Sequence, residues 1–244
     1  MSIVTAVGSF GYFISPLYTN YSLVSNGWVN TLFVFMLLLF LGLVMSFFVR
    51  SPSLIQSIEK SNDQSTMSAL NEAFKNKSYL FLTGGFFVCG FQLAFITVHM
   101  PAYLSDKGFD AKVAVISLSL IGLFNIFGCL LFGSWSSKYS KKNLLGIIYL
   151  FRALAIAAFM LTPITITTVY LFSIVTGFLW LATVPPTSGL VAQMFGLKHM
   201  GSLYGIVFLN HQLGSFLGVW LGGYLYDTSG SYDKVWWAAA AIAL

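Results

Sequence analysis

The chain has 244 residues, of which 57% are hydrophobic and only 8% are charged, and its formal net charge is +5. So few charges cannot solvate the surface of a soluble domain of this length, so the composition excludes a soluble enzyme or nucleic-acid binder and defines a polytopic membrane protein. The basic excess then reads as topology, with no nucleic acid as partner and the lipid bilayer as surroundings.

Apolar runs of about 20 residues, the length that crosses a bilayer, predict an all-α transmembrane protein of eight spans. Span one covers residues 3–17 and is followed by a polar stretch, 18–27, rich in Tyr, Asn and Ser. Span two covers 28–49 and stops at Arg50. Residues 51–77 form the longest polar segment, with Pro52, mixed charges and a weakly amphipathic piece at 67–74; it reads as a linker between two membrane blocks. Spans three to seven follow at 79–103, 113–135, 144–161, 167–195 and 203–226, and an eighth starts near Val235. No basic segment followed by a short apolar core and a small-residue cleavage site opens the chain, so no cleavable signal peptide is expected. The first and last spans are short, and both ends read as cut.

The loops after spans two, four and six carry Arg50, Lys60, Lys75, Lys77, Lys138, Lys141, Lys142 and Lys198, whereas the alternate loops carry only Lys107, Lys112 and Lys234. The positive-inside rule places the first set in the cytoplasm. Cys89 and Cys129 each sit inside an apolar run with no CxxC and no clustered His, so they are expected to be buried free thiols, with neither zinc nor disulfide.

Arg152 is the only charged residue of the span at 144–161 and sits at its middle. Such an arginine faces a bundle interior or water and has a partner. All seven acidic residues fall between apolar runs. Its partner therefore lies outside this sequence or is not protein; a small anion is the expectation pursued, because a carboxylate suits the planar fork of the guanidinium, and the plainer reading is an arginine bonded to helix-end carbonyls or snorkelling.

Gly133-Ser-Trp-Ser-Ser-Lys138-Tyr-Ser-Lys141-Lys142 resembles the cytoplasmic-turn motif of the major facilitator superfamily, with Ser137 where the Asp is expected and Lys138 where the Arg is expected. Gly8-Ser-Phe-Gly11 with Pro16 is similar to the superfamily's span-five pattern. Gly85-Phe-Phe-Val-Cys-Gly90-Phe-Gln92 with Phe95, His99 and Pro101-Ala-Tyr103, then Gly122-Leu-Phe-Asn125, Tyr149-Leu-Phe-Arg152, Leu190-Val-Ala-Gln193 and His211-Gln212-Leu-Gly214, resembles the monocarboxylate-transporter-like and oxalate/formate-antiporter-like branch. The resemblance implies a fragment covering about spans five to twelve: residues 1–50 as the last two spans of the N-terminal bundle, 51–77 as the cytoplasmic linker, and 78–244 as the C-terminal six-span bundle with its last span truncated. It also implies secondary transport of a small organic anion, often with a proton, by alternating access. The expected setting is a monomeric multi-pass protein of the plasma membrane without cofactor or metal. A carrier for a neutral solute, an amphipathic-drug exporter or an inactive fragment is the alternative.

A substrate site near the midplane makes each polar group at that depth a candidate: Arg152, Gln92, Asn125, Tyr149, His211 and Trp180 for the substrate, and His99, with an imidazole that titrates near neutrality, for a coupling proton. Gln92 and His99 lie two helical turns apart on one face. His99 reads equally well as an interfacial histidine bonded to a carbonyl, and Asn125 as an interhelical hydrogen bond. Of Asn210, His211 and Gln212, which fan by about 100° each, at most two face one cavity. Gly133, Lys138, Lys141 and Lys142 are the gating candidates of the turn motif, and Pro185 and Pro186 predict a bend in span six because each removes a backbone donor. Gly214, Gly218 and Gly222 form a small-xxx-small packing face, and Trp28, Tyr103, Trp236 and Trp237 read as interfacial belt residues. No HExxH, GxSxG or phosphate-loop motif occurs, so an enzyme is not expected.

Overall fold

A computed structural model of the chain describes residues 2–48 and 65–243. Among them all regular structure is helical: α1 (Ser2–Ser46), α2 (Thr66–Lys75), α3 (Lys77–Asp106), α4 (Ala111–Lys138), α5 (Lys141–Leu161), α6 (Ile166–Leu179), α7 (Val184–Phe195), α8 (Met200–Ser229) and α9 (Asp233–Ala241). Helices are what such apolar runs must form in lipid, where every backbone N–H and C=O needs a partner within its own segment.

α1 is not one rod. Its 45 residues would extend ~68 Å if straight, about twice the hydrocarbon thickness. Gly27, with φ 75° and ψ 170°, breaks it. The Ser22 and Thr31 hydroxyls are 2.8 Å apart, and the Tyr18 and Phe35 rings meet edge-on at 6.1 Å. Both pairs are centred next to Gly27, so the two arms run antiparallel as a hairpin. The polar stretch 18–27 that separates the first two expected spans is therefore helical up to Gly27. A single glycine in the left-handed region absorbs the reversal, and local bonds such as Thr31 Oγ1 to Gly27 O (2.8 Å) and Asn30 Nδ2 to Asn26 O (2.9 Å) meet the polar groups.

Arg50 and most of the expected linker, with Lys60, lie outside the described residues. Its last part is α2, whose start is capped by Ser65 (Oγ to Ser68 N, 3.2 Å) and which turns Ala69 and Ala73 inward.

Two backbone-to-backbone contacts build the bundle. α3 and α8 approach so closely that a Cβ at Gly214 or Gly218 would strike the Phe87 or Phe91 carbonyl, and one at Gly90 would strike that of His211. The small-xxx-small face expected on span seven is thus a packing surface. On the other side α4 lies between α1, which meets it at Gly122, and α6, which meets it at Gly128 and Gly177. At the end away from the linker, α9 drives Trp236 into a ring cluster with Phe95 (4.9 Å), Phe159 (5.4 Å), Phe172 (5.7 Å) and Tyr103 (5.5 Å). Trp236 and Tyr103 are 0% and 3% exposed. They are core residues rather than belt aromatics, because the short α9 sits on α5 and presses both rings inward; Trp28 and Trp237 stay exposed.

Five segments of the described residues are long and apolar enough to cross a membrane: Ile3–Ser46, Lys77–Asp106, Ala111–Lys138, Lys141–Leu161 and Ile166–Phe195. The first is the hairpin, and the last is interrupted between α6 and α7.

Candidate functional site

The interruption of span six is where the polar groups of the bundle converge. Pro185 and Pro186 occupy the first turn of α7, where proline is tolerated. Their missing N–H groups and ring clashes prevent the helix from running through from α6. Trp180–Thr183 is accordingly non-helical, and the last carbonyls of α6 lose their partners.

Arg152 supplies those partners. Its Nε and Nη2 donate to Leu179 O at 3.2 and 2.7 Å, and Nη2 also donates to Trp180 O. The guanidinium lies over the Tyr149 ring at 5.7 Å, and the Tyr149 hydroxyl donates to Gly85 O at 2.6 Å. The plainer reading of Arg152, a cap on helix-end carbonyls, thus holds for two of its three nitrogens. Nη1 has no hydrogen-bond partner, although the residue is only 3% exposed. It is the one Asp, Glu, Lys or Arg buried among the described residues.

Asn125 serves the other side of the break. Its Oδ1 accepts from Leu181 N at 2.9 Å and its Nδ2 donates to Ser9 Oγ at 2.8 Å, while the Cys129 thiol donates to Oδ1 at 3.3 Å. The interhelical reading of this asparagine is the one the geometry displays. One amide ties α1, α4 and the broken span together. Nearby, Tyr12 of α1 bonds Thr97 of α3 (2.8 Å) and sets its ring 6.2 Å from that of Trp180.

Gln92, 1% exposed, donates from Nε2 to Ala239 O at 2.7 Å. With Leu93, Ile96, Arg152, Ile156, Thr176 and Trp180 it lines a small interior cavity. The structure therefore brings Arg152, Gln92, Trp180, Tyr149 and Asn125 to one level around the break. The two candidate histidines lie outside that cavity. His211 stacks on Phe208 (5.4 Å) and Phe86 (4.9 Å), pairs with Gln212 (3.3 Å) and borders Cys89, whose thiol in turn meets Thr183 Oγ1 at 3.4 Å. His99 shares α3 with Gln92 but not its cavity: its Nε2 lies 2.9 Å from Val219 O, and its ring faces Phe95 and Tyr232. Burial, with the Asp106 and Asp227 charges, holds the Tyr232 hydroxyl above the usual tyrosine range.

Among the gating candidates, Gly133, Lys141 and Pro185 line one open crevice of about 380 Å³ with Ser136 and Ser188. The Lys141 stem lies across Gly189, where a Cβ would come within 2.7 Å of its Cε. Lys138 ends α4 exposed, and Lys142 lines a neighbouring cavity with Tyr149 and Ser78. Tyr12, Ser9, Thr97 and Thr176 carry no sequence signal of their own, since isolated hydroxyls are common in apolar helices. Among the described residues no group of three His, Cys, Asp or Glu is placed to hold a metal.

These features define a polytopic helix-bundle membrane protein whose buried cation caps a discontinuous span. The Major Facilitator Superfamily profile matches residues 1–219, and the chain belongs to that family. It is 29% identical over 156 residues to the uncharacterised MFS-type transporter YcxA of Bacillus subtilis, covering 61% of this chain and 37% of that protein. It is 26% identical over 157 residues to monocarboxylate transporter 12-B of Danio rerio (63% and 33%) and 26% identical over 149 residues to monocarboxylate transporter 13 of Rattus norvegicus (60% and 35%). The matches thus span about a third of the length of these relatives.

Proposed function

We propose that the chain forms part of a secondary transporter that moves a small organic anion, a monocarboxylate or dicarboxylate, across the plasma membrane by alternating access, coupled to a proton or by exchange. The observation that carries this reading is Arg152. Its charge is buried, its hydrogen bonds go to neutral carbonyls, and among the described residues no Asp or Glu is buried beside it, so one guanidinium edge is left open. A carboxylate is the natural counter-ion for that edge, and two relatives at low identity are named monocarboxylate transporters. Gln92, Trp180, Tyr149 and Asn125 shape the surroundings of the site, His211 borders it through Cys89, and His99 is the proton-coupling candidate. Gly133, Lys138, Lys141 and Lys142, with Pro185 and Pro186, form the gate at the linker end, and the carrier works as a monomer.

A second reading, a neutral or amphipathic solute, is favoured by a larger, mainly apolar cavity of about 440 Å³ between α1, α3 and α4. Hydroxyls of Tyr12, Ser15, Thr19, Thr97 and Ser105 and the Asn20 amide line it, and the only charge on its wall is Asp110. Uptake of labelled lactate, pyruvate, formate and oxalate into vesicles carrying the whole transporter, with and without an inward proton gradient, separates the two. Saturable acid uptake that Arg152→Gln abolishes, with the protein still inserted, supports the anion reading. Equal uptake by both forms removes Arg152 from it, and uptake of none of the acids transfers support to the neutral or amphipathic solute.

A further inference from the structure

We infer that Gln92, Arg152 and Thr176 together bind one internal water molecule that is a fixed component of the bundle. Three polar atoms, Gln92 Oε1, Arg152 Nη1 and Thr176 Oγ1, meet no hydrogen-bond partner, and their residues are 1%, 3% and 4% exposed. All three residues line the same interior cavity, whose other walls are Leu93, Ile96, Ile156 and Trp180. Buried polar atoms without partners are rare, and several that converge on one cavity mark a bound species. The cavity measures about 10 Å³, the room that a single water needs.

The chemistry of the three atoms selects the ligand. Gln92 turns its amide nitrogen to Ala239 O at 2.7 Å, which settles which end of the amide faces the cavity: an oxygen, acceptor only. Arg152 has Nε and Nη2 engaged with Leu179 and Trp180, so Nη1 is the nitrogen left for a ligand, as donor only. The Thr176 hydroxyl takes either role. The ligand must accept from a cation and donate to a carbonyl-type oxygen at the same time. Chloride or a carboxylate cannot donate to Gln92 Oε1, and a metal or ammonium ion would be repelled by the guanidinium. Water does both.

This water closes a chain of hydrogen bonds from Ala239 on α9 through Gln92 on α3 to Arg152 on α5 and so to the broken span. It satisfies Arg152 without neutralising it. An anion oxygen could take the water's place on Arg152 only if Gln92 turned its amide nitrogen towards it, which gives up the Ala239 bond but leaves the caps on Leu179 and Trp180 intact; that consequence rests on the transport reading, whereas the water itself does not.

X-ray hydroxyl-radical footprinting of the wild-type chain in nanodiscs tests it, because a bound water oxidises the side chains it touches. Ile96 and Ile156, 1% and 2% exposed, are expected to be labelled several-fold more than Ile121 and Ile148, both 0% exposed and away from this cavity. Equal labelling of the four would overturn the proposal, and no variant has to fold for that comparison. In Gln92→Leu with Thr176→Val the excess is expected to vanish, and its persistence would also count against the site. Crystals grown in bromide give the independent arm. A peak among the three atoms without anomalous signal supports water, whereas an anomalous peak, meaning an anion, or no peak at all overturns it.

Discussion

Arg152 shows how one side chain can be both a structural cap and a carrier of charge. Capping two backbone carbonyls is its larger effect on stability. Leaving a buried hydrogen-bonding group without a partner costs about 1–3 kcal/mol in soluble cores, and interhelical bonds in membranes average about 0.6 kcal/mol. We therefore expect Arg152→Met, which uncaps Leu179 O and Trp180 O, to lose about 2 kcal/mol. By the scaling for chains of this size that is a fall of about 4–8 °C in thermal midpoint, readable by thiol-reactive unfolding in detergent, since Cys89 and Cys129 are buried. Arg152→Lys should lose less, because an ammonium reaches one carbonyl although it cannot fork over both. A Met variant as stable as wild type would mean that the caps carry no weight. The buried charge was legible in the sequence because a lone arginine in an apolar run has few places to be. Helix-end carbonyls were among its readings, but that they are those of Leu179 and Trp180 was not legible, because no residue identity names a main-chain carbonyl. The same holds for Asn125: its depth announced a partner, but Ser9 and the Leu181 amide lie 116 and 56 residues away along the chain.

Among the helices, apolar run length placed the spans well, and what it missed were the places where one residue changes the path. Gly27 turns 45 residues into a hairpin with almost no loop, and hydropathy averaged over a window cannot register a single dihedral. The hairpin can be tested directly. With the Ser22 and Thr31 hydroxyls 2.8 Å apart, the two Cβ atoms lie near the separation of a disulfide. Ser22→Cys with Thr31→Cys should therefore crosslink under mild oxidation, visible as a mobility shift after cleavage between the two sites; a straight helix would hold the pair ~13 Å apart and give none. The proline pair, by contrast, was read from the sequence as a bend, and the structure goes further to a full break. If ring clash and the missing donors cause it, Pro185→Ala with Pro186→Ala should let α6 continue into α7. Amide exchange at Ala182 and Thr183 should then slow by an order of magnitude or more as these two amides gain helical bonds, whereas Trp180 N and Leu181 N are already bonded to Gly177 O and to Asn125. Unchanged exchange would assign the break to tertiary packing around Asn125 and Arg152 instead.

In the whole molecule, the first arm of α1 is joined to the break through a short series of contacts: Ser9 to Asn125, Asn125 to Leu181, and Tyr12 to both Thr97 and the Trp180 ring. A carrier that works by rocking one half against the other would have to make and break such contacts in each cycle. This arrangement makes the position of α1 and the state of span six a single variable. Gly122 is the place to test it, because α1 passes there so closely that an added Cβ would meet the Tyr12 carbonyl carbon at 2.6 Å and crowd the Phe13 amide. Gly122→Val must push α1 outward while leaving the α3 and α8 contact at Gly214 and Gly218 untouched. Asn125 then loses Ser9, and Cys129, which donates to the same amide at 3.3 Å and is 0% exposed, comes into reach of a membrane-permeant maleimide. Labelling of Cys129 in Gly122→Val should rise at least several-fold over wild type. In Gly223→Val, whose added Cβ meets nothing within 4 Å, it should stay at the wild-type level. If Cys129 stays protected although a cysteine pair shows that α1 has moved, the break holds itself together, and α1 only leans on the bundle.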